Sequence, residues 1–223
     1  MVASRLLVAC TAVLAATTTT SLGAQDVAWV NARILDPATR TETRGALVAR
    51  DGKFVAVGTL PAGFSGTRID LGGRFVIPGL VDAHTHAFGN MSPGGAPQML
   101  GADGSARMVL QAGVIAFLDL FAPEDDILGL RDRQRAGEVD GAAIFAAGPC
   151  FTATNGHCSE YGVPTRLVNS PAEVEREVTA LAPKRPDVLK IVYDNASYGS
   201  RRMPTVDRAT LEAFLAKGRA LDI

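Results

Sequence analysis

Residues 74–87 read Arg74-Phe75-Val76-Ile77-Pro78-Gly79-Leu80-Val81-Asp82-Ala83-His84-Thr85-His86-Ala87, and this stretch decides how the rest of the chain is read. An apolar run, Phe75 to Val81, climbs toward two histidines separated by one residue. Successive side chains on a strand point to opposite faces, so His84 and His86 share one face, with Cα atoms about 6.5 Å apart. Two imidazoles presented together at the end of a buried strand can grip one divalent metal ion. Asp82 lies on the same face and can support such a site. The plainer alternative is a pair of exposed loop histidines, and the residues leading into the pair argue against it.

Upstream of this stretch, from Val27 to about Arg74, short strand-like pieces are divided by turns. Val27–Leu35, Ala46–Arg50, Lys53–Val57 and Thr67–Leu71 are predicted strands, with Asp51-Gly52 as a hairpin turn and Gly72-Gly73 as another. Downstream the pattern changes to strand, helix, strand, helix, which argues for parallel βαβ units. Strands are predicted at Phe75–Ala83, Val114–Leu120, Ala142–Ala147 and Val188–Tyr193. Helices are predicted at Asp103–Gln111, Asp125–Ala136, Pro171–Leu181 and Val206–Ala220. The third helix has the clearest start: Ser170 as N-cap, Pro171 at the first position and Glu173 completing a capping box. Val174, Val178 and Leu181 line one of its faces, and Leu211, Phe214 and Leu215 do the same in the fourth.

The chain resembles the amidohydrolase superfamily of metal-dependent hydrolases, closest to its imidazolonepropionase-like and prolidase-like branch. The resemblance rests on Val76 through His86. Gly113 to Asp119, Gly148-Pro149 with Asn155-Gly156-His157, and Asp187 through Ile191 follow in the family's order. It implies an α/β chain: a partial (β/α)₈ TIM barrel of about four βα units over 75–223, preceded by a small β-sandwich domain over 25–74. A whole barrel typically takes ~250 residues, so the stretch from Phe75 onward is expected to be its first half, cut short.

The same resemblance implies the chemistry. His84 and His86 would be metal ligands at the end of strand one. Lys190, on strand four, would be carboxylated and bridge two ions. His157 would bind substrate, although its position also suits an ordinary surface-loop histidine. One or two divalent ions, Zn²⁺ foremost, would lower the pKa of water toward ~7 and polarise a carbonyl. The remaining family ligands and the proton-accepting aspartate belong to later strands, so no catalytic residue is assigned. The implied activity is hydrolysis of a C–N bond in a small amide, cyclic amide or dipeptide, with this chain incomplete and inactive alone. The alternative is a non-catalytic fragment or binding module that needs a partner chain. Asp119 at the end of strand two has a simpler role open to it, hydrogen bonding to neighbouring loop backbone. Tyr161 and Tyr193 are candidates only for shaping a pocket.

Bulk properties exclude other classes. A formal net charge of -1 gives no reason to expect nucleic acid or an anionic membrane as partner. Beyond the leader, no segment has the ~18 continuous apolar residues of a membrane span. A homo-oligomer is compatible with the composition but not indicated by it. Residues 1–24 differ from the rest: Arg5, the apolar run Leu6 to Ala16, then small residues ending Leu22-Gly23-Ala24, the pattern of a secretory signal peptide. The expected location is secreted or periplasmic. Leu7-Val8-Ala9-Cys10 resembles a lipoprotein box but sits too early for a full apolar region before it. In an oxidising compartment Cys150 and Cys158 can form a disulfide. A zinc site using both with His157 lacks a recognisable ligand spacing.

Overall fold

The computed structural model describes residues 26–87, 101–195 and 202–223. The expected leader over 1–24, Cys10 included, lies outside the described residues. Two compact units are present, Met1–Pro78 and Gly79–Ile223.

The first unit is built on one long strand. β1 (Val27–Asp36) pairs antiparallel with β2 (Thr41–Arg50), which pairs antiparallel with β3 (Lys53–Gly58). On its other edge β1 is long enough to pair twice, in parallel, with β4 (Thr67–Asp70) through Val27–Val30 and with β5 (Phe75–Val76) through Arg33 and Ile34. A register shift between Trp29 and Ala32, with Asn31 at φ 56°, separates the two pairings. Asp51 and Gly52 take φ 49° and 73°, the two positive values that a tight hairpin matching the strand twist requires. Ala28, Ala32, Ala46, Leu47 and Val48 are its buried apolar residues, whereas Phe54 and Val57 stay exposed. The described strands therefore form one five-stranded sheet rather than the two layers of the expected sandwich. Every strand but β3 pairs with β1, so no second sheet forms among them.

The second unit is α/β. β6 (Leu80–Thr85), α1 (Gly101–Gln111), β7 (Val114–Asp119), α2 (Glu124–Arg135) and β8 (Ala143–Ala146) alternate, and the three strands are parallel and adjacent in chain order. The run Phe75–Ala83, predicted as one strand, is two. Pro78 has no N–H to give a ladder, and its neighbours Ile77 and Gly79 lie outside both strands, so Phe75–Val76 ends in the first unit and the parallel strand begins at Leu80.

A second break falls at Gly148, whose φ of 76° turns the chain before Pro149. Beyond it β9 (Cys150–Thr152) lies between β10 (Arg166–Leu167) and β11 (Lys190–Ile191), all parallel. The predicted strand Val188–Tyr193 thus contracts to two residues. Hydrogen bonds still carry the order of neighbours across the break: Ala147 N donates to Asp119 O at 2.9 Å and Asp187 N to Ala146 O at 3.0 Å. Among the described residues these strands do not close into a barrel.

The helices follow their local signals. α3 (Pro171–Leu181) is capped by Ser170, whose Oγ accepts from Glu173 N at 3.3 Å. The Glu173 carboxylate accepts from Asn169 N at 2.6 Å rather than from the cap residue, so the capping box closes one residue early. α4 (Arg208–Ala220) is capped by Asp207. Its buried stripe is Thr210, Phe214 and Gly218, spaced by four, while Leu215 is exposed. Phe214 packs on Phe151 with ring centroids 5.0 Å apart. Phe117, Ile144, Ile127, Val174, Val178 and Leu181 complete the core on the helix-covered face of the sheet.

At the start of the segment leading to β11, the wholly buried Arg131 of α2 donates to Asp187 Oδ2 (3.2 Å) and to the carbonyls of Lys184 (3.1 Å) and Arg185 (2.8 Å). Arg135 adds a 2.7 Å contact to Asp187 Oδ1, and Ala146 N donates to Oδ2. A buried guanidinium is tolerated because its donors are met. Here it fixes the strand that carries Lys190.

Candidate functional site

β6 ends by delivering both histidines to one place. A register shift between Asp82 and Thr85 twists the end of the strand, and the ring centroids of His84 and His86 stand 5.6 Å apart, edge to face. Asp82 Oδ1 accepts from His84 N at 3.0 Å, so this carboxylate shapes the strand exit. Among the described residues neither imidazole makes a side-chain hydrogen bond. Partial burial first, then the nearby charges of His84 and Lys190, hold the His86 pKa below the ordinary imidazole range. This favours the neutral ring that ligates metals.

Asp119, at the end of β7, is fully buried. It accepts from Ala87 N at 2.6 Å and from Phe121 N at 3.0 Å. It thereby ties the residue after His86 to the turn after β7, the loop-backbone role open to it from the sequence. Burial raises its pKa, and these two hydrogen bonds pull the other way.

Lys190 opens β11 opposite Cys150. It is half-buried, no carboxylate pairs with it among the described residues, and burial lowers its pKa. Its charge contributes, after burial and His84, to the lowering of the His86 pKa.

His157 comes from the loop after β9. Its Nδ1 lies 2.5 Å from Glu160 Oε1, and its ring stacks edge-on with Tyr161 at 5.6 Å. Tyr161 reaches Phe121 at 6.2 Å, and Phe121 reaches His86 at 6.2 Å. A continuous file of rings therefore runs His84, His86, Phe121, Tyr161, His157. The structure brings the three sequence-selected histidines and Lys190 to one end of the parallel strands. Tyr193 is exposed and takes no part in the file. Cys150 and Cys158 are joined as a disulfide, which removes them as zinc ligands.

Two members of the site were not selected from the sequence. Phe121 directly follows β7 but carries no polar signal. Glu160 stands three residues after His157, a spacing that pairs side chains only once a local turn is known. The fit to a metal is partial. His84 and His86 supply two convergent nitrogen donors, but among the described residues no group of three or more His, Cys, Asp or Glu side chains could hold an ion. A cleft of about 740 Å³ lies between α1 and α2 and is lined by no histidine.

No family model matches the chain. It is 40% identical over 79 residues to an imidazolonepropionase from Polaromonas sp., covering 31% of this chain and 19% of that one. It is 31% identical over 129 residues to a 5-methylthioadenosine/S-adenosylhomocysteine deaminase from Nitratidesulfovibrio vulgaris, covering 46% of this chain and 29% of that one. Among solved structures, a Xaa-Pro dipeptidase with methionine in its active site superposes with a TM-score of 0.73, at 20% identity, over 89% of this chain and 55% of that one. The chain belongs to the amidohydrolase superfamily. The dipeptidase likeness carries the fold alone, and the two enzyme relatives carry the kinship. This amidohydrolase chain spans under a third of the length of those two relatives and about half of the dipeptidase. No described helix is long and apolar enough to cross a membrane.

Proposed function

We propose that this amidohydrolase chain forms the metal-binding part of a (β/α)₈-barrel hydrolase that cleaves a C–N bond in a small amide, cyclic amide or dipeptide. The observation that carries this reading is the convergence of His84 and His86, 5.6 Å apart by ring centroid, at the exit of the first parallel strand. Active sites of such folds lie at the C-terminal ends of the strands. His84 and His86 would hold a divalent ion, Zn²⁺ foremost. When bound, the ion supplies Lewis acidity that activates water and polarises a carbonyl.

Lys190, half-buried and without a carboxylate partner among the described residues, is suited to carboxylation. As a carbamate it would add anionic oxygens beside His86 and allow a second ion. Asp119 orients the exit of β6 by holding Ala87 N. His157, held by Glu160 and reached through Tyr161 and Phe121, would orient the substrate. We place the protein in the periplasm or outside the cell. Support comes from the leader pattern of residues 1–24 and from the Cys150–Cys158 bond, since disulfides persist in oxidising compartments.

A second reading, a binding module completed by further polypeptide, is favoured by the open face of the parallel sheet. Val81 and Phe145 are 65% and 45% exposed there. Calorimetric titration with ZnCl₂, followed by assay of amine release from N-acyl amino acids, cyclic imides and Xaa-Pro dipeptides, separates the two. Zinc uptake that disappears in both His84→Ala and His86→Ala, with turnover by the longest native form, supports the hydrolase. A protein that takes up no zinc, or holds it equally well without the two histidines, overturns it. Zinc uptake with no turnover supports the second reading.

A further inference from the structure

The Cys150–Cys158 disulfide has no place in the chemistry above, yet it converges with Glu160 on His157. An ionised carboxylate only accepts hydrogen bonds. The contact between Glu160 Oε1 and His157 Nδ1, at 2.5 Å, therefore requires the ring hydrogen to sit on Nδ1. The other anchor is covalent. Cys158 follows His157 directly and is bonded to Cys150 on β9, the strand paired with Lys190. The disulfide is buried in a cluster with Val192, and Phe121, a member of the file of rings, packs against that cluster. Cys158 holds φ 92°, a positive value that a non-glycine residue keeps only when its surroundings impose it. Ser159 Oγ donates to Gly156 O at 2.6 Å and Gly156 N to Ala153 O at 2.8 Å, closing the loop on itself.

We propose that Glu160 and the disulfide are the positioning elements of His157: the carboxylate sets the Nδ1–H tautomer and the disulfide sets the place of the ring. The inference rests on the reading of His157 as a substrate-facing residue. Its test needs neither substrate nor metal, so its failure and the failure of the hydrolase reading are distinguishable.

The test is a long-range ¹H–¹⁵N correlation spectrum of the histidine rings in the full chain, at a pH where the rings are uncharged. His157 is assigned by the signals missing in His157→Gln. The expected result is the Nδ1–H signature for His157. Glu160→Ala should lose it, and Glu160→Gln, whose amide oxygen still accepts, should keep it. A phosphine reduces the disulfide by two electrons, while water supplies the protons of the two thiols and the oxygen of the phosphine oxide. This reduction should shift and broaden the His157 signals while His84 and His86 keep theirs. The double variant Cys150→Ala/Cys158→Ala should do the same with helix content retained. An Nε2–H signature in the unmodified chain, or one indifferent to Glu160→Ala, overturns the role of Glu160. His157 signals unmoved after thiol titration confirms full reduction, and unmoved in the double variant, overturn the role of the disulfide.

Discussion

Asp119 and Asp187 lie on neighbouring parts of the same parallel arrangement, both withdrawn from water, and they are held in opposite ways. Asp119 stands at the histidine end, where its carboxylate meets only backbone N–H groups, and burial raises its pKa. Asp187 stands at the start of the strand segment leading to Lys190. Burial there is outweighed by Arg135, Ala146 N and Arg131, and its pKa is lowered. The second region satisfies every charge with a partner and so fixes packing. The first leaves His84 and His86 convergent, with no side-chain hydrogen bond among the described residues. Polar groups that are fully matched hold a fold together, and polar groups that converge unmatched are what a ligand can use.

The comparison can be broken hardest at Arg131. Arg131→Ala leaves Asp187 and two carbonyls without their buried donor, and the expected cost is about 3–5 kcal/mol. Urea unfolding should show this as a large fall in midpoint; a change below about 1 kcal/mol would mean that the network is ornamental.

At the other end, His84→Ala or His86→Ala should leave metal-free stability nearly unchanged. Each should abolish the zinc-dependent gain, about 2.7 kcal/mol when zinc is at 100 times its Kd. Thermal melts with and without ZnCl₂ measure both quantities at once. Asp119→Ala strands the buried Ala87 N–H and the part-buried Phe121 N–H and should cost about 1–3 kcal/mol. Because it frees the residue after His86, it should also weaken zinc uptake.

Acid sharpens the contrast. The folded pKa of Asp187 lies below the ordinary 3.8, so its stabilisation is complete above that value and is lost as the pH falls through the lower folded value. Asp119 has the opposite sign: its folded pKa lies above 3.8, its ionised form costs stability, and that cost is relieved as the pH falls through the folded value toward 3.8. In acid titrations monitored by circular dichroism, Asp187→Asn should flatten the fall below pH 3.8 relative to the unchanged chain. The smallest expected effect is at Lys190. Lys190→Met removes a half-buried cation that burial disfavours and should change stability by no more than about 0.5 kcal/mol. A larger loss would mean that Lys190 belongs with Asp187 among the groups that hold the fold.

Much of the architecture was legible because it is local. The turn Asp51-Gly52, the cap Ser170-Pro171 and the stripe Val174, Val178, Leu181 are written in neighbouring residues, and all three stand in the structure. The errors fall where a long-range partner decides. Phe75–Val76 looks continuous with Leu80–Thr85, but β1 takes the first piece. Leu215 has helical spacing with Leu211, yet the buried line runs through Thr210, Phe214 and Gly218 instead. β9 and β10 are too short to show an alternation and exist only through their pairings. Arg131 reads as one of several charges on a polar helix, and nothing in the pattern marks it as the largest fully buried side chain among the described residues.

What the sequence by itself determined is the chemistry on offer: two histidines at strand spacing, a lysine on a later strand, two cysteines in one loop, and the order in which they arrive. Strand geometry sets the first of these, since alternate residues share a face wherever the strand goes. Only the tertiary structure decided what meets what. Phe121 and Tyr161 join His86 to His157 across more than seventy residues of chain, and Glu160 turns back on His157 through a loop closed by a disulfide. Such contacts depend on sheet pairing and loop closure, which are properties of distant segments brought together and leave no periodic mark on any one of them.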